Sequence, residues 1–298
     1  MSEKTTSLKA VIGTQLSAPE PGWFAECDVI VIGSGVAGLT AAIQARTSGY
    51  KVILVTKAQV DDGSTRWAQG GIAAALDPSD SPEEHWRDTI VAGAGLCDSA
   101  AARVLVVEGP NVVRRLISRG ANFDRTASGD IALTREGGHH RDRIAHAGGD
   151  ATGAEISRAL VDAISNDDDI QLIENALVLD LLQDEFGAAQ GVTLHVMGQG
   201  MHDGVGAVLA PAVILATGGI GQVFSQSTNP KVATGDGIAL ALRAGAALAD
   251  LEFIQFHPTV LFLGSGAKGQ QPLISEAVRG EGAFLVDDEG KRIMDGVH

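Results

Sequence analysis

The feature that most constrains the fold is a short apolar run that ends in three spaced glycines. Val29–Ile32 is typical of a buried strand, Gly33-x-Gly35-x-x-Gly38 follows it, and residues 39–46 are compatible with a helix. Gly33 would permit the tight turn, Gly35 would let a pyrophosphate approach the backbone, and Gly38 would let the helix pack closely on the strand. The N–H groups at the positive end of the helix dipole would then face that pyrophosphate.

Glycine spacing alone is weak evidence, because glycine makes up 38 of the 298 residues. The flanking pattern strengthens it, since residues 51–56 form a second predicted strand that closes a β–α–β unit. We therefore favour a dinucleotide-binding unit over a purely structural turn. Many NAD-binding units place an acidic residue at the end of the second strand, whereas this chain has Thr56 and Lys57 there. This departure argues against a nicotinamide cofactor.

Composition and charge exclude several classes of function. The formal net charge of −15 argues against a nucleic-acid or anionic-membrane partner, since both require a basic surface. The two cysteines, Cys27 and Cys97, form no CxxC or Cys/His cluster, so we expect a reducing compartment and no metal site. No apolar run reaches the roughly 18 residues of a membrane span, and the N-terminus lacks the apolar core of a secretory signal. We expect a cytoplasmic enzyme.

The rest of the chain alternates predicted helices and strands. Ser81 before Pro82 predicts a helix that starts with an N-cap and extends through residue 91. A second helix is expected over Ser99–Ser118, and a third, capped by Asp150 or Thr152, reaches about residue 164. The remaining predicted elements are strands at residues 170–173, 176–182, 191–196, 206–209 and 211–215, the last returning to the parallel sheet, and a helix at residues 238–248.

Three stretches have two interpretations each. Residues 62–75 form a small-residue loop that could press its backbone against a flat cofactor or serve as a connector. Residues 134–146 concentrate charge and imidazole, as expected either of a solvated loop or of a surface that faces an anionic substrate. Asp236 could cap the helix it begins or turn its carboxylate toward a cofactor hydroxyl. The residues alone leave these alternatives open.

Six motifs, in this order, resemble those of the succinate dehydrogenase and fumarate reductase flavoprotein superfamily, and within it the L-aspartate oxidase family. They are the Gly33 fingerprint, Ala68-Gln69-Gly70-Gly71, Ala216-Thr217-Gly218-Gly219, Thr234-Gly235-Asp236-Gly237, His257-Pro258-Thr259 and Glu276-x-x-Arg279-Gly280-Glu281-Gly282. The resemblance covers about residues 27–295. It implies an α/β fold, in which a Rossmann-like FAD-binding domain with a mixed sheet carries an inserted α+β capping domain. The implied division is an N-terminal arm at 1–26, the FAD-binding domain at 27–249, and the incomplete start of the capping domain at 250–298.

Two positions distinguish the oxidase family within this superfamily. The membrane-complex subunits carry a histidine that bonds covalently to FAD, and Ser64 stands at that place here, which implies a non-covalent flavin. The dicarboxylate enzymes have a phenylalanine before a Gly-Gly pair, where this chain has Glu136. A carboxylate there would favour an amino acid over plain succinate, because it pairs with the added ammonium group.

The resemblance also implies the individual site residues. Residues 34–37 and Lys57 would hold the FAD diphosphate and ribose, residues 64–71 the pyrophosphate and isoalloxazine, Val178 the adenine side, and Asp236 the ribityl chain. The full set of implied FAD contacts is Gly33, Ser34, Gly35, Val36, Ala37, Gly38, Lys57, Ser64, Thr65, Arg66, Trp67, Ala68, Gln69, Gly70, Gly71, Val178, Ala216, Thr217, Gly218 and Asp236. The implied catalytic and substrate residues are Glu136 for the ammonium group, His257 and Ser275 for a carboxylate, and Glu276 with Arg279 as a proton-relay pair.

The implied reaction is oxidation of L-aspartate to iminosuccinate by hydride transfer from C2 to FAD. Electrons would pass to O2, giving H2O2, or to fumarate. This would be the first step of de novo NAD biosynthesis, with quinolinate synthase as a possible partner. Family members continue past the Arg279 motif with further active-site residues, so the resemblance implies a truncated chain. The alternatives are a succinate dehydrogenase or fumarate reductase type subunit and an inactive FAD-binding fragment.

Overall fold

The computed structural model describes residues 15–275, 278 and 282–296. The helices are α1 (Val36–Thr47), α2 (Pro82–Ala92), α3 (Ser99–Ser118), α4 (Thr152–Ser165) and α5 (Asp236–Arg243). The strands are β1 (Trp23–Glu26), β2 (Val29–Ile32), β3 (Val52–Val55), β4 (Ile72–Ala73), β5 (Leu133–Thr134), β6 (Ile144–Ala145), β7 (Ile170–Ile173), β8 (Ala176–Gln183), β9 (Ala189–Val196), β10 (Val205–Leu209), β11 (Ala212–Leu215), β12 (Gln226–Ser227) and β13 (Gly269–Gln270). Single 3₁₀ turns lie at Ser64–Trp67 and Gly221–Val223.

The chain divides into two compact units, each made of separate stretches of sequence. Of the described residues, the first contains 15–60, 168–219 and 234–254, and the second contains 61–167, 220–233, 255–275, 278 and 282–296. The α/β fold with mixed sheets is confirmed. The predicted domain boundaries at residues 27 and 250 stay a prediction.

The first unit is built on two four-stranded sheets. One is parallel, in the order β11-β2-β3-β7, and the other has the order β1-β10-β9-β8. Strands β2 and β3 are buried at every position, as expected of central parallel strands that are covered on both faces. On one face of these strands, Ile30, Ile32, Ile53 and Val55 pack with side chains of β8, β9 and β10 and with Leu240 of α5 in one apolar core. Helix α1 buries Leu39 and Ala42 completely, so the dinucleotide-type unit is a packed β–α–β layer.

The return of the chain to the parallel sheet is confirmed. Strand β11 pairs in parallel with β2 over four residues, from Ala212–Val29 to Leu215–Ile32. Because parallel strands present their carboxyl ends at the same edge, the turn after β11 lies beside the glycine turn after β2.

A strand lies at the end of the segment that is predicted to be an N-terminal arm, residues 1–26. Trp23–Glu26 forms β1, which pairs in parallel with β10 about 180 residues away, and Trp23 packs over Gly206. A Cβ at Gly206 would come within 2.1 Å of the Trp23 ring. Because β10 is so distant in sequence, the four residues of β1 alone give no indication that they pair with it.

The second unit contains α2, α3, α4 and two small sheets. The Ser81 hydroxyl accepts the Glu84 N–H at 3.2 Å and Pro82 is the first helical residue, so the predicted start of α2 is confirmed. Strands β4, β6 and β5 form an antiparallel sheet in that order, while β12 and β13 pair in parallel.

Two helix-end predictions are wrong. Helix α4 follows Ala151, with no side-chain cap, because Thr152 Oγ1 accepts the Ala147 N–H at 3.1 Å instead of capping the helix. Helix α5 ends at Arg243 and not at residue 248. Gly245 takes a left-handed conformation (φ +91°) just after it, which ends the helix in the manner of a glycine C-cap.

Candidate functional site

The glycine turn after β2 has the geometry that a dinucleotide cradle requires. Gly33 has φ +107°, and its N–H donates to Val55 O at 2.8 Å. A Cβ at Gly33 would lie 2.2 Å from Ala216 O, and one at Gly38 would lie 1.8 Å from Gly33 O. Neither position accepts a side chain without moving backbone. The turn is therefore hydrogen-bonded to β3 and packed closely against both α1 and the segment after β11.

Helix α1 begins directly at this turn. Gly35 is its N-cap in an extended conformation without a side-chain cap, and Val36 and Ala37 form its first turn. The first N–H groups of a helix have no acceptor inside the helix, and no acidic residue lies in this first turn. The arrangement fits the diphosphate of a dinucleotide.

The Ser34 side chain is hydrogen-bonded to Thr56 inside the protein. Its hydroxyl donates to Thr56 Oγ1 at 2.9 Å, and both residues are buried. A diphosphate at this turn would therefore meet the backbone of Ser34, since its hydroxyl is already bonded.

Lys57 and Asp236 meet at the end of β3 and the start of α5. The Lys57 ammonium donates to the Asp236 carboxylate and to the Thr234 hydroxyl, and Thr234 Oγ1 donates to Asp236 Oδ2 at 2.7 Å. Burial disfavours the Asp236 carboxylate, but the hydrogen bonds from Lys57 and Thr234 outweigh burial and lower its pKa. Gly235, with φ +79°, is the residue that precedes α5, so the capping interpretation of Asp236 is wrong. An ionised acceptor remains for a hydroxyl group.

The segment after β11 lies against the same helix. A Cβ at Gly237 would come within 1.9 Å of Thr217 Oγ1, so α5 packs tightly over Thr217. Gly218 takes φ +74°. The first unit thus brings Gly33 next to Ala216, and Thr217 next to the start of α5.

Val178 is the one implied FAD contact that lies on β8. It is a β8 residue, 8% exposed, and it packs in the apolar core. Its predicted contact with the adenine side stays a prediction.

The predicted flavin loop lies in the second unit. Ser64, Thr65, Arg66 and Trp67 form the 3₁₀ turn, and Ala68 O accepts the Gly153 N–H at 2.9 Å. A Cβ at Gly153 would come within 2.0 Å of Thr65 O, so the start of α4 packs directly on this loop. The helix fixes the loop from one side.

A cavity of about 500 Å³ opens beside the loop, within the second unit. Its lining residues are Ser64, Trp67, Ala68, Gln69, Thr228, Asn229, Pro230, Gln270, Gln271, Pro272 and Leu273. Gln69 Oε1 is buried and has no hydrogen-bond partner among the described residues. The lining combines carboxamides with apolar side chains, which suits a planar heteroaromatic ring that carries donors and acceptors.

The small sheet of the second unit brings the end of this loop to Glu136. Gly71 precedes β4, His146 follows β6, and β4 pairs antiparallel with β6 through Ile72 and Ala145. A Cβ at Gly71 would lie 2.9 Å from His146 Cε1. His146 Nε2 lies 2.9 Å from Thr134 Oγ1 and 3.6 Å from Glu136 Oε1. Glu136, predicted to recognise an ammonium group, is therefore adjacent to the strand edge that carries Gly71.

The charged stretch at residues 134–146 is neither simply solvated nor simply open to a substrate. Arg143 is completely buried and bonds to Asp80 and Asp88, and His140 donates its N–H to Asp88 Oδ2 at 3.0 Å. Arg141 bonds to Glu84 at the surface. Glu84 and Asp88 are four residues apart on α2, so they share one face of the helix, and Asp80 lies just before its N-cap Ser81. The spacing of Glu84 and Asp88 is the local signal for part of this ion-pair network, whereas the position of Asp80 follows from the chain before the helix.

Burial and nearby charges shift the pKa values of three side chains around this ion-pair network. Burial disfavours the Asp88 carboxylate, but hydrogen bonds from His140 and Arg143 lower its pKa overall. Burial and then the Arg143 charge lower the pKa of His85 to about 4, and burial lowers the pKa of His139. His85 is thus a neutral core histidine at pH 7.

His257 and Ser275 are the two remaining predicted residues that the structure describes. His257 Nδ1 lies 2.8 Å from Thr259 O and 3.2 Å from Thr259 N. One nitrogen cannot donate to the first and accept from the second at once, and the shorter contact favours donation to the carbonyl. Nε2 is then the nitrogen available to a ligand. Ser275 is 8% exposed. Glu276 and Arg279 lie outside the described residues.

The described part of the chain has no group of three or more His, Cys, Asp or Glu side chains that could hold a metal ion. Among the same residues, no helix combines the length and the apolar character that crossing a membrane requires.

Comparison with known proteins gives consistent results. The model of the FAD binding domain family matches residues 28–298. An L-aspartate oxidase of Streptomyces coelicolor is 68% identical over 286 residues, which are 96% of this chain and 49% of that protein. An L-aspartate oxidase of Mycobacterium tuberculosis is 52% identical over 93% of this chain and 51% of that protein. The chain therefore spans about half the length of these relatives.

A solved structure of E. coli quinol fumarate reductase matches the fold with a TM-score of 0.82. It is 33% identical, and the match covers 90% of this chain and 44% of that chain. The family match covers the glycine cradle, the Lys57–Asp236 pair and the loop at residues 64–71, and it identifies the dinucleotide as FAD. The chain belongs to the FAD binding domain family.

Proposed function

We propose that this chain forms the FAD-binding half of an L-aspartate oxidase, which oxidises L-aspartate to iminosuccinate. The observation that carries the proposal is Glu136, a carboxylate placed 3.6 Å from His146 at the strand edge that carries Gly71. The 68% identity to an L-aspartate oxidase supports the same assignment. A carboxylate at this position provides the counter-charge for an α-ammonium group.

The first unit would hold the nucleotide portion of FAD without a covalent bond. Backbone N–H groups at Gly35, Val36 and Ala37 would bind the diphosphate, since they lie at a helix N-terminus behind a turn that excludes side chains. Lys57 would neutralise phosphate charge, and the ionised Asp236 would accept a hydroxyl of the sugar or ribityl chain.

The second unit would supply the substrate contacts. The chemistry that bound FAD would supply is acceptance of a hydride from C2 of the substrate, with O2 or fumarate as the final electron acceptor. Glu136 would hold the ammonium group, while His257 Nε2 and the Ser275 hydroxyl would bind carboxylate oxygens. Glu276 and Arg279 would move the proton. The two carboxylates and the ammonium group of aspartate would then each have a partner of opposite charge or a donor.

The acceptor, the pathway and the partner follow from the family resemblance. We propose O2 or fumarate as the acceptor, the first step of de novo NAD biosynthesis as the role, quinolinate synthase as a possible partner, and the cytoplasm as the location.

A flavoprotein subunit of the succinate dehydrogenase or fumarate reductase type is the second candidate. The fold likeness to quinol fumarate reductase supports it. Ser64, in place of the histidine that would bind FAD covalently, and Glu136, in place of phenylalanine, argue against it. A chain that binds FAD without turnover is the remaining alternative.

Two measurements test the proposal. The purified chain should show a flavin absorbance band, and acid denaturation should release the flavin into the supernatant. The complete protein should then form H2O2 when L-aspartate is added. Turnover of succinate without turnover of aspartate would favour the second candidate, and flavin without any turnover would favour the third.

A further inference from the structure

His146 occupies a position between the predicted flavin loop and the predicted ammonium site. It directly follows β6, and its side chain is 12% exposed. On one side, a Cβ added at Gly71 would lie 2.9 Å from His146 Cε1. On the other side, its Nε2 lies 2.9 Å from Thr134 Oγ1 and 3.6 Å from Glu136 Oε1. The imidazole therefore separates Gly71 from Glu136 and contacts both sides.

The two ring nitrogens of His146 differ in their surroundings. Nδ1 is buried and has no hydrogen-bond partner among the described residues. A proton on Nδ1 would have no acceptor there, and it would turn the lone pair of Nε2 toward the negatively charged Glu136 carboxylate. The proton of the neutral ring therefore belongs on Nε2, where two oxygen acceptors lie within 4 Å.

The N–H of this tautomer donates to Thr134 Oγ1 at 2.9 Å, and its dipole also faces the Glu136 carboxylate at 3.6 Å, beyond hydrogen-bond distance. A neutral donor leaves the full negative charge on the carboxylate, which a lysine or arginine at this position would cancel. Thr134, on the neighbouring strand β5, accepts from the same N–H and fixes the ring. The carboxylate is thus oriented from one side while its charge remains available to a ligand.

We propose that His146 is a positioning residue that orients the Glu136 carboxylate toward the α-ammonium group of the substrate. The inference rests on the proposed function, and it adds a second determinant of the choice between an amino acid and a plain dicarboxylate. The effect is confined to ligands that carry the ammonium group, because only these use the Glu136 charge.

Three substitutions separate this role from a general packing role. His146→Gln keeps an N–H near the position of Nε2, His146→Asn places its amide near Nδ1 instead, and His146→Phe fills the space without a donor. The measured quantities are the dissociation constants of L-aspartate and of succinate for the FAD-loaded complete protein, from the perturbation of flavin absorbance. FAD content and thermal midpoint are recorded for each variant.

We expect His146→Phe and His146→Asn to weaken L-aspartate binding by about fivefold, because the Glu136 carboxylate loses the N–H dipole that faces it, which stabilises it less than a direct hydrogen bond would. Succinate binding should change less than about twofold, and His146→Gln should keep most of the preference for aspartate. His202→Phe is the matched control, since His202 is 83% exposed in a turn of the first unit.

The outcomes are distinct. If the unmodified protein does not prefer aspartate over succinate, the proposed function fails. If it does, but His146→Phe or His146→Asn keeps the preference, the positioning role of His146 is overturned. Loss of both ligands in all three variants, with FAD retained, would also overturn it, because that pattern indicates packing alone.

Discussion

Arg143 and Asp80 form a two-point ion pair in the second unit, with side chains that are 0% and 1% exposed. Arg143 Nε lies 2.8 Å from Asp80 Oδ2, and Nη2 lies 2.9 Å from Oδ1. Asp88 Oδ2 completes the arrangement, 2.7 Å from Nη1. Two carboxylates thus share one guanidinium group away from water, and removal of any member leaves buried charge without compensation.

Arg143→Met should therefore destabilise the protein strongly. The expected loss in the free energy of unfolding is about 3–5 kcal/mol, because Asp80 and Asp88 keep their burial and lose their counter-charge. Urea denaturation followed by circular dichroism measures this loss. Arg141→Met is the control, since its pair with Glu84 is exposed and screened by solvent, so its loss should change the stability far less. Equal losses in the two variants would contradict the buried-charge argument.

The stability of the chain should also depend on pH through His85. Burial and the Arg143 charge lower its pKa in the folded state from 6.5 to about 4. The unfolded chain therefore binds the proton more tightly, and the free energy of unfolding should fall as the pH decreases from about 6.5 to about 4. The slope from this one group is at most about 1.4 kcal/mol per pH unit.

His85→Leu removes the titrating group and should flatten this part of the pH profile, as measured by urea midpoints between pH 7 and pH 4. His202→Gln changes an exposed imidazole and should leave the slope as it is. An unchanged slope in His85→Leu would show that other groups control the transition.

Gly38→Ala should abolish FAD binding by the chain. A Cβ at this position would lie 1.8 Å from the carbonyl oxygen of Gly33, so α1 must move away from the turn that it closes. We expect no bound flavin in absorbance spectra and a lower thermal midpoint. Gly266→Ala is the matched control, because a Cβ at Gly266 meets no atom within 4 Å and the residue has no left-handed φ. Flavin retained by Gly38→Ala at the level of the control would contradict the cradle geometry.

The parts of the fold that the sequence predicts correctly depend on local signals. Val29–Ile32 is uniformly apolar, and the steric role of Gly38 acts against Gly33, in the same short segment. The start of α2 follows from Ser81 and Pro82 for the same reason. Strand β1 lacks such a signal, because its pairing with β10 depends on contacts that span most of the unit.

In the candidate site too, local motifs identify single residues, whereas contacts between distant residues have no local signal. Asp236 is found by its motif, but its pairing with Lys57 joins residues 179 positions apart. Charged side chains are usually exposed, so composition gives no reason to expect Arg143 in the core. Its burial depends on Asp80 and Asp88, which lie on another element. His146 has no sequence motif of its own, and only the pairing of β4 with β6 places it beside Gly71.

Glu136→Gln should separate the proposed substrate from its dicarboxylate relatives. The change removes the negative charge and keeps the size of the side chain, so an ammonium group loses its partner while a carboxylate does not. We expect the dissociation constant of L-aspartate, measured from flavin absorbance in the complete protein, to rise at least about tenfold. Succinate and fumarate should bind as before or more tightly, because their charge no longer faces a carboxylate.

Asp142→Asn is the matched control for this variant. It removes one negative charge from the same loop, at a side chain that is 65% exposed and pairs only loosely with Arg135, 3.8 Å away. Exposed charges are screened by solvent and salt, so this control should change none of the three dissociation constants by more than about twofold. If Glu136→Gln weakens aspartate, succinate and fumarate equally, Glu136 acts on the loop as a whole. Its assignment to the ammonium group would then be refuted, because charge recognition requires the three ligands to differ.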